Sequence, residues 1–235
     1  MTVRILHTSD LHLPRDVEAN PAPLVALLDA LRGGLGPYDV WVDCGDLLPD
    51  PPASLDPQHV TDSRMMPDAW AAAARWQLGW LLNVGPRIVE ALGERRGLVI
   101  DGNHHWLHAA IFLERLSAGS VTVPRYGDVV EVAGLHWTGL PQTPPLGGCF
   151  RREVQSDEWP GVLARIPPAD VLVSHAPPSG PLSMHPEWGV PGPHRLPHPL
   201  VLCGHIHETG GQEHTESGQR VVNGARHIRI VEVDL

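Results

Sequence analysis

Val3-Arg4-Ile5-Leu6-His7-Thr8-Ser9-Asp10-Leu11-His12 is the stretch on which the reading of this chain turns. An apolar run with β character leads to Ser9, and a carboxylate and an imidazole then follow two positions apart. Open α/β sheets build their active sites just outside the carboxyl ends of their strands, so a hydrophobic strand that stops at a ligand residue is the local signature of such a site. The pattern predicts a strand from Thr2 to Ser9, with Asp10 and His12 in the loop beyond it.

The arrangement returns along the chain. Val40 to Cys44 opens onto Gly45-Asp46, and Leu98 to Ile100 onto Asp101-Gly102-Asn103-His104. Val171 to Val173 leads into Ser174-His175, and Leu200 to Cys203 into Gly204-His205-Ile206-His207. Between the first two blocks, Leu24, Leu27, Leu28 and Leu31 recur at helical spacing until Gly33-Gly34 stops the helix, which completes a strand, helix, strand unit. The Pro-, Asp- and Ser-rich segment from Leu47 to Arg64 reads as a surface loop at the mouth of the site. A helix with Trp70, Trp76 and Trp80 is expected to break at Gly85-Pro86, with a second helix running to about Glu94. Trp106 to Leu116 is again helical by its spacing.

From Val129 the period changes to that of a hairpin, and closing strands are expected over Arg220 to Val222 and Ile228 to Val233. The Pro-rich stretch from Pro177 to Pro199 reads equally as a wall of the site or as an ordered surface loop.

Length and charge bound the function. A chain of 235 residues with 42% hydrophobic content fits one α/β domain over 1–235. The net charge of −10 argues against a general electrostatic grip on nucleic acid. Carboxylates clustered at a metal site are offset by their cations, however, so the charge weakens a nuclease reading without excluding it. Cys44, Cys149 and Cys203 are odd in number and widely spaced, which fits reduced thiols in a cytoplasmic protein. No cationic leader or long apolar span is apparent, so a soluble chain without membrane association is expected.

Carboxylate oxygen, amide oxygen and imidazole nitrogen together suit hard or borderline divalent metals. In a two-metal site the ions lie roughly 3.5–4 Å apart and one carboxylate bridges them while they activate a hydroxide. Asp46, alone after its glycine, is the bridging candidate.

The five blocks, D-x-H, G-D, G-N-H, H and G-H-x-H, resemble in kind and order those of the calcineurin-like metallophosphoesterase superfamily, from Asp10 to His207. The resemblance implies a four-layer αββα sandwich of two mixed β-sheets flanked by helices. It implies one metal held by Asp10, His12, Asp46 and His207 and another by Asp46, Asn103, His175 and His205, with manganese preferred and iron or zinc as alternatives. His104 would then contact the scissile phosphate and protonate the leaving oxygen, with Asn103 helping to grip the phosphoryl group. The family places Asp or Glu after that histidine and this chain has His105, so either weaker general-acid catalysis or a substitute partner, such as Asp101 or Glu208, is expected.

Ile5 to Leu13 is further similar to the opening of the SbcD-type repair nucleases. Those carry a capping domain beyond the core, whereas here the chain ends soon after the last block. A phosphodiesterase or nuclease acting on nucleic acid or nucleotides is therefore expected, with a phosphomonoesterase as rival and a noncatalytic interaction scaffold as the alternative of another class.

Arg15, His105 and Trp106 are the candidate substrate contacts, Arg15 for the phosphodiester and Trp106 as a pocket aromatic. For His105 a structural role is the competing reading. The Arg151-Arg152 pair reads as solvated surface charge, and most of the eight tryptophans as core. The remaining histidines, among them His7, His108 and His194, show no ligand spacing.

Overall fold

β1 (Thr2–Ser9) forms as expected in the computed structural model, which describes residues 2–61, 63–145, 150–191 and 196–234. It pairs antiparallel with β11 (His227–Asp234) and parallel with β2 (Val40–Asp43), placing Thr8 opposite Asp43. β3 (Arg96–Val99) and the two-residue β4 (Val121–Thr122) extend the sheet in parallel, giving the order β11-β1-β2-β3-β4. The second sheet has the order β5-β6-β7-β8-β10-β9. Its parallel centre is β6 (Leu135–Leu140), β7 (Val171–Ser174), β8 (Leu200–Cys203) and β10 (Gln219–Asn223). Antiparallel edges come from β5 (Val130–Val132) and β9 (Glu213–Glu216).

The two sheets face each other because their strands alternate. Val40, Val42 and Cys44 point between the sheets, where they meet Trp137, Val171, Val173, Leu200 and Leu202, while Trp41 points to the helical side. Helices α1 (Ala22–Arg32), α2 (Met66–Leu92) and α3 (Ala109–Leu116) cover the first sheet. The outer face of the second is covered by the short α4 (Trp159–Leu163), by a 3-10 turn at Pro181–Ser183, and by Val190 and Leu196 from the described part of the Pro-rich loop. Two mixed sheets with flanking layers are therefore present, the second flank being mostly turns and loop. No helix among the described residues is long and apolar enough to cross a membrane.

Several local expectations change. The break at Gly85-Pro86 does not occur: α2 runs 27 residues with Pro86 inside it. An interior proline costs about 3 kcal/mol, but α2 buries Trp80, Leu81, Val84, Ile88 and Leu92 on one face, and each such side chain contributes about 1.5–3 kcal/mol. The carbonyl that loses its partner belongs to Leu82, which is 55% exposed. Helix α3 starts only at Ala109, because residues 101–108 fold as a loop around the side chain of Asp101. The segment from Leu47 begins as core, with Leu47 and Leu48 fully buried. Cys149, His194 and the 192–195 portion of the Pro-rich stretch lie outside the described residues.

Candidate metal centre

All five blocks converge at one end of the sandwich, at the carboxyl ends of β1, β2, β3, β7 and β8. Backbone hydrogen bonds tie the loops together: Asp10 N–H donates to the Gly45 carbonyl at 2.8 Å, His12 N–H to Asp46 at 3.0 Å, and Gly204 N–H to His175 at 2.9 Å. Asp10, His12, Asp46 and His205 all adopt positive φ. That conformation is unfavourable for residues with a Cβ and clusters at functional sites, where packing enforces it. Gly204 is required for the approach, since a Cβ there would lie 1.9 Å from Ser9 Oγ and 2.1 Å from Asp10 Oδ2.

Each carboxylate keeps one oxygen tied back by backbone or hydroxyl donors and turns the other toward an imidazole. Oδ2 of Asp10 accepts from Ser9 Oγ at 2.5 Å and from the His205 N–H at 2.7 Å, leaving Oδ1 facing Nε2 of His207 at 3.3 Å. Oδ1 of Asp46 accepts from the His104 N–H at 2.9 Å, and Oδ2 faces Nε2 of His175 at 3.2 Å. Nδ1 of His175 lies 2.8 Å from the Cys44 carbonyl, so it carries a hydrogen and donates there. Its Nε2 is then directed at Asp46 and at Oδ1 of Asn103, 2.8 Å away. Nε2 of His205 is buried without any partner. A buried imidazole nitrogen with no donor, and a group of oxygens converging on another, are what divalent cations satisfy, so these residues fit the ions their chemistry implies.

The side chains form convergent groups, one of which takes Asp10 from one expected ligand set and His175 from the other around the shared Asp46. Asp10, His12 and His207 offer atoms within 4.8 Å of one another, and so do Asp10, Asp46 and His175. Burial pushes the Asp10 carboxyl up, but His175 and the His207 hydrogen bond outweigh it and bring it down to about 2. Asp46 is likewise opposed by burial yet held well below the usual carboxylate range by His175 and His104. Burial alone would lower His175; Asp46 and Asp10 overcome it and raise it to about 9. Burial dominates at His205, which falls to about 3.

His104 has a partner the sequence did not suggest. Its Nδ1 lies 2.6 Å from Oδ1 of Asp50, and His12, Asp50 and His104 form a third convergent group. Against the lowering effect of burial, Asp46 and Asp50 raise His104 to about 9. Asp101 and Glu208, the expected substitutes, do not take this role. Asp101 accepts from Arg152, from the Ala110 N–H and from the imidazoles of His105 and His108, and Glu208 is exposed. The signal for Asp50 was an acid four residues after Asp46, hidden in a segment read as surface loop.

The expected substrate contacts are corrected. His105 is 1% exposed; its Nδ1 faces Asp101 at 3.2 Å and its Nε2 accepts from the Leu48 N–H at 3.3 Å, so it clasps two site loops together. Trp106 is fully buried and stacked on Phe150, and it is Phe150 whose ring comes within 4.8 Å of His104. Arg15 is exposed, but its Nε and one terminal nitrogen donate to the carbonyls of Asp50 and Pro51, both at 2.8 Å, so it pins the loop that carries Asp50. Arg152 is no surface charge either: it donates to Gly102 and Leu107 carbonyls and to Asp101.

A family model described as calcineurin-like phosphoesterase matches residues 3–209. One crystal structure superposes with a TM-score of 0.60 at 14% identity, covering 95% of this chain and 90% of that one, a likeness of fold. Another, the Thermus thermophilus sulfate thiohydrolase SoxB in complex with glycerol, gives a TM-score of 0.42 at 12% identity over 98% of this chain, which spans 56% of that one. A search of the curated proteins found no match.

Proposed function

The chain belongs to the calcineurin-like phosphoesterase family, and on that premise we propose that it hydrolyses phosphodiesters with two divalent ions, manganese by preference. The observation that carries the reading is the meeting of His175 Nε2 with Asp46 Oδ2 and Asn103 Oδ1, three atoms of ligand type that the His175 proton joins and that a cation would hold once that proton is released. Asp10, His12, Asp46 and His207 would hold one ion, and Asp46, Asn103, His175 and His205 the other. Bound there, divalent ions supply the charge that activates an attacking water and offsets the phosphoryl oxygens.

The chain's own residues do the rest. Nδ1 of His104 is committed to Asp50, so Nε2 carries the proton available to a leaving oxygen. Asp46 and Asp50 keep that proton in place at neutral pH, raising His104 to about 9 against burial. An alkoxide is a poor leaving group that needs a proton, which suits a phosphodiester of an alcohol. Arg15, His105, Arg152 and Gln77 serve the site by fixing its loops. The diester preference also draws on the likeness of Ile5 to Leu13 to SbcD-type nucleases.

Manganese-dependent cleavage of bis-p-nitrophenyl phosphate, compared with p-nitrophenyl phosphate, tests the proposal. The diester is expected to be the better substrate, and Asp46→Ala to abolish turnover. Preference for the monoester would favour a phosphomonoesterase, and a chain that bound no metal would sink the hydrolase reading.

A further inference from the structure

Beside the Asp10, His12 and His207 group opens a cavity of ≈ 460 Å³, within the range that takes a small ligand. It leads from Asp10 and His12 over an apolar floor of Leu11, Pro23 and Ile228 to Arg226. Arg226 is exposed, and its guanidinium has no hydrogen-bond or ion-pair partner among the described residues. Six other arginines, Arg4, Arg87, Arg125, Arg152, Arg220 and Arg229, each meet a carboxylate. In a chain of net charge −10, an unpaired cation at the edge of the metal centre is conspicuous.

Its backbone is also fixed. The Arg226 N–H donates to the carbonyl of Ser9 at 2.9 Å, which anchors it to the residue preceding Asp10. Arg226 holds φ at 59°, in the same left-handed region as Asp10, His12, Asp46 and His205. Such a conformation is unfavourable for an arginine, whose Cβ crowds the following carbonyl. Helix α1, which contributes Pro23 to the floor, has no acidic residue in its first turn and no side-chain cap, so nothing there competes with an incoming anion.

We propose that this groove binds a second phosphate of the substrate, making the preferred substrates nucleoside phosphodiesters that carry another phosphate next to the scissile one. Arg226 grips that second phosphate through its planar fork of donors, and the apolar floor takes the sugar that links the two anions. The proposal rests on the phosphodiesterase reading for which phosphate reacts, yet the groove can be tested by binding alone.

Calorimetry on the manganese-loaded full chain would compare thymidine 3′,5′-bisphosphate with the 5′- and 3′-monophosphates. The bisphosphate is expected to bind about tenfold more tightly than either. In R226Q the three ligands should fall within about twofold of one another, a difference of less than 0.5 kcal/mol on the roughly 1.4 kcal/mol scale of a tenfold change. R226G, which relaxes the left-handed backbone, should show the same loss, so a strained fold cannot account for it. Equal affinities in the unsubstituted protein, or a preference that survives in both variants, would overturn the groove. Hydrolysis of bis-p-nitrophenyl phosphate without a bisphosphate preference removes the groove alone. A bisphosphate preference without hydrolysis upholds the groove as an anion site and removes the phosphodiesterase reading.

Discussion

Asp50 and His104 show how a single pair can set the pH behaviour of the whole site. Burial alone would drive the imidazole below its ordinary value, so His104 stays protonated near neutral pH only because Asp46 and Asp50 face it. As the proton donor, it is active below its pKa and loses function as pH rises through it. Removing the Asp50 charge lowers that pKa, so in Asp50→Asn the alkaline limb of kcat should move to lower pH, measured with the same metal as the unsubstituted protein. The maximal rate should also fall, by about ten- to hundredfold, within the range that positioned acid–base groups contribute. An alkaline limb that did not move would show that Asp50 merely packs against His104. Cys44, beside the site, carries no such role: burial raises its thiol well above the usual range, so it stays protonated on its inner strand.

Elements place these residues, and here the limits of sequence reading have physical causes. Asp10, Asp46, Asn103, His175, His205 and His207 were legible because each follows an apolar strand, and strand ends are fixed by the period-2 alternation that builds the sheets. Strand β9, with the sequence Glu213-His214-Thr215-Glu216, was not legible, because as an exposed edge strand it has little apolar pattern to read. Nor was Asp50, which gains its partner only once Leu47 and Leu48 sink into the core. Gln77 was invisible for a further reason: it looks like one polar position on a long helix. In the fold it is fully buried, donates to the Pro49 and His104 carbonyls at 3.2 and 2.9 Å, and accepts from the Trp106 N–H at 2.8 Å. Helix α2 thus holds both loops that carry the His104–Asp50 pair. Gln77→Met keeps the shape and removes the bonds, leaving buried backbone groups unpaired at a cost of about 1–3 kcal/mol. Chemical denaturation should register that loss and kcat should drop with it, whereas a stable variant of full activity would show that α2 does not hold the loops in register.

At the scale of the molecule, the centre joins two sheets whose inner faces meet through apolar contacts. Asp10, Asp46 and Asn103 follow strands of the first sheet, and His175, His205 and His207 follow strands of the second. Ions held between them would bind the folded state alone, and such a ligand at a hundred times its Kd adds about 2.7 kcal/mol. For a chain of this size that raises the melting temperature by about 5–11 °C, at roughly 2–4 °C per kcal/mol. The sign of the pH effect follows from the ligands. Asp10, at about 2, and Asp46, held well below the usual carboxylate range, are already ionised near neutrality, and His205, at about 3, is already neutral. His175, raised to about 9, must give up a proton to become a ligand. Manganese affinity should therefore rise with pH toward 9 and level off above it, about tenfold per unit for that one proton. Calorimetry at pH 8 in buffers of different ionisation enthalpy should find about one proton released as the centre fills. The gain in melting temperature at fixed manganese should be larger at pH 8 than at pH 7. Affinity that did not change with pH would mean that His175 is not a ligand, and that the cations do not bridge the two sheets through it.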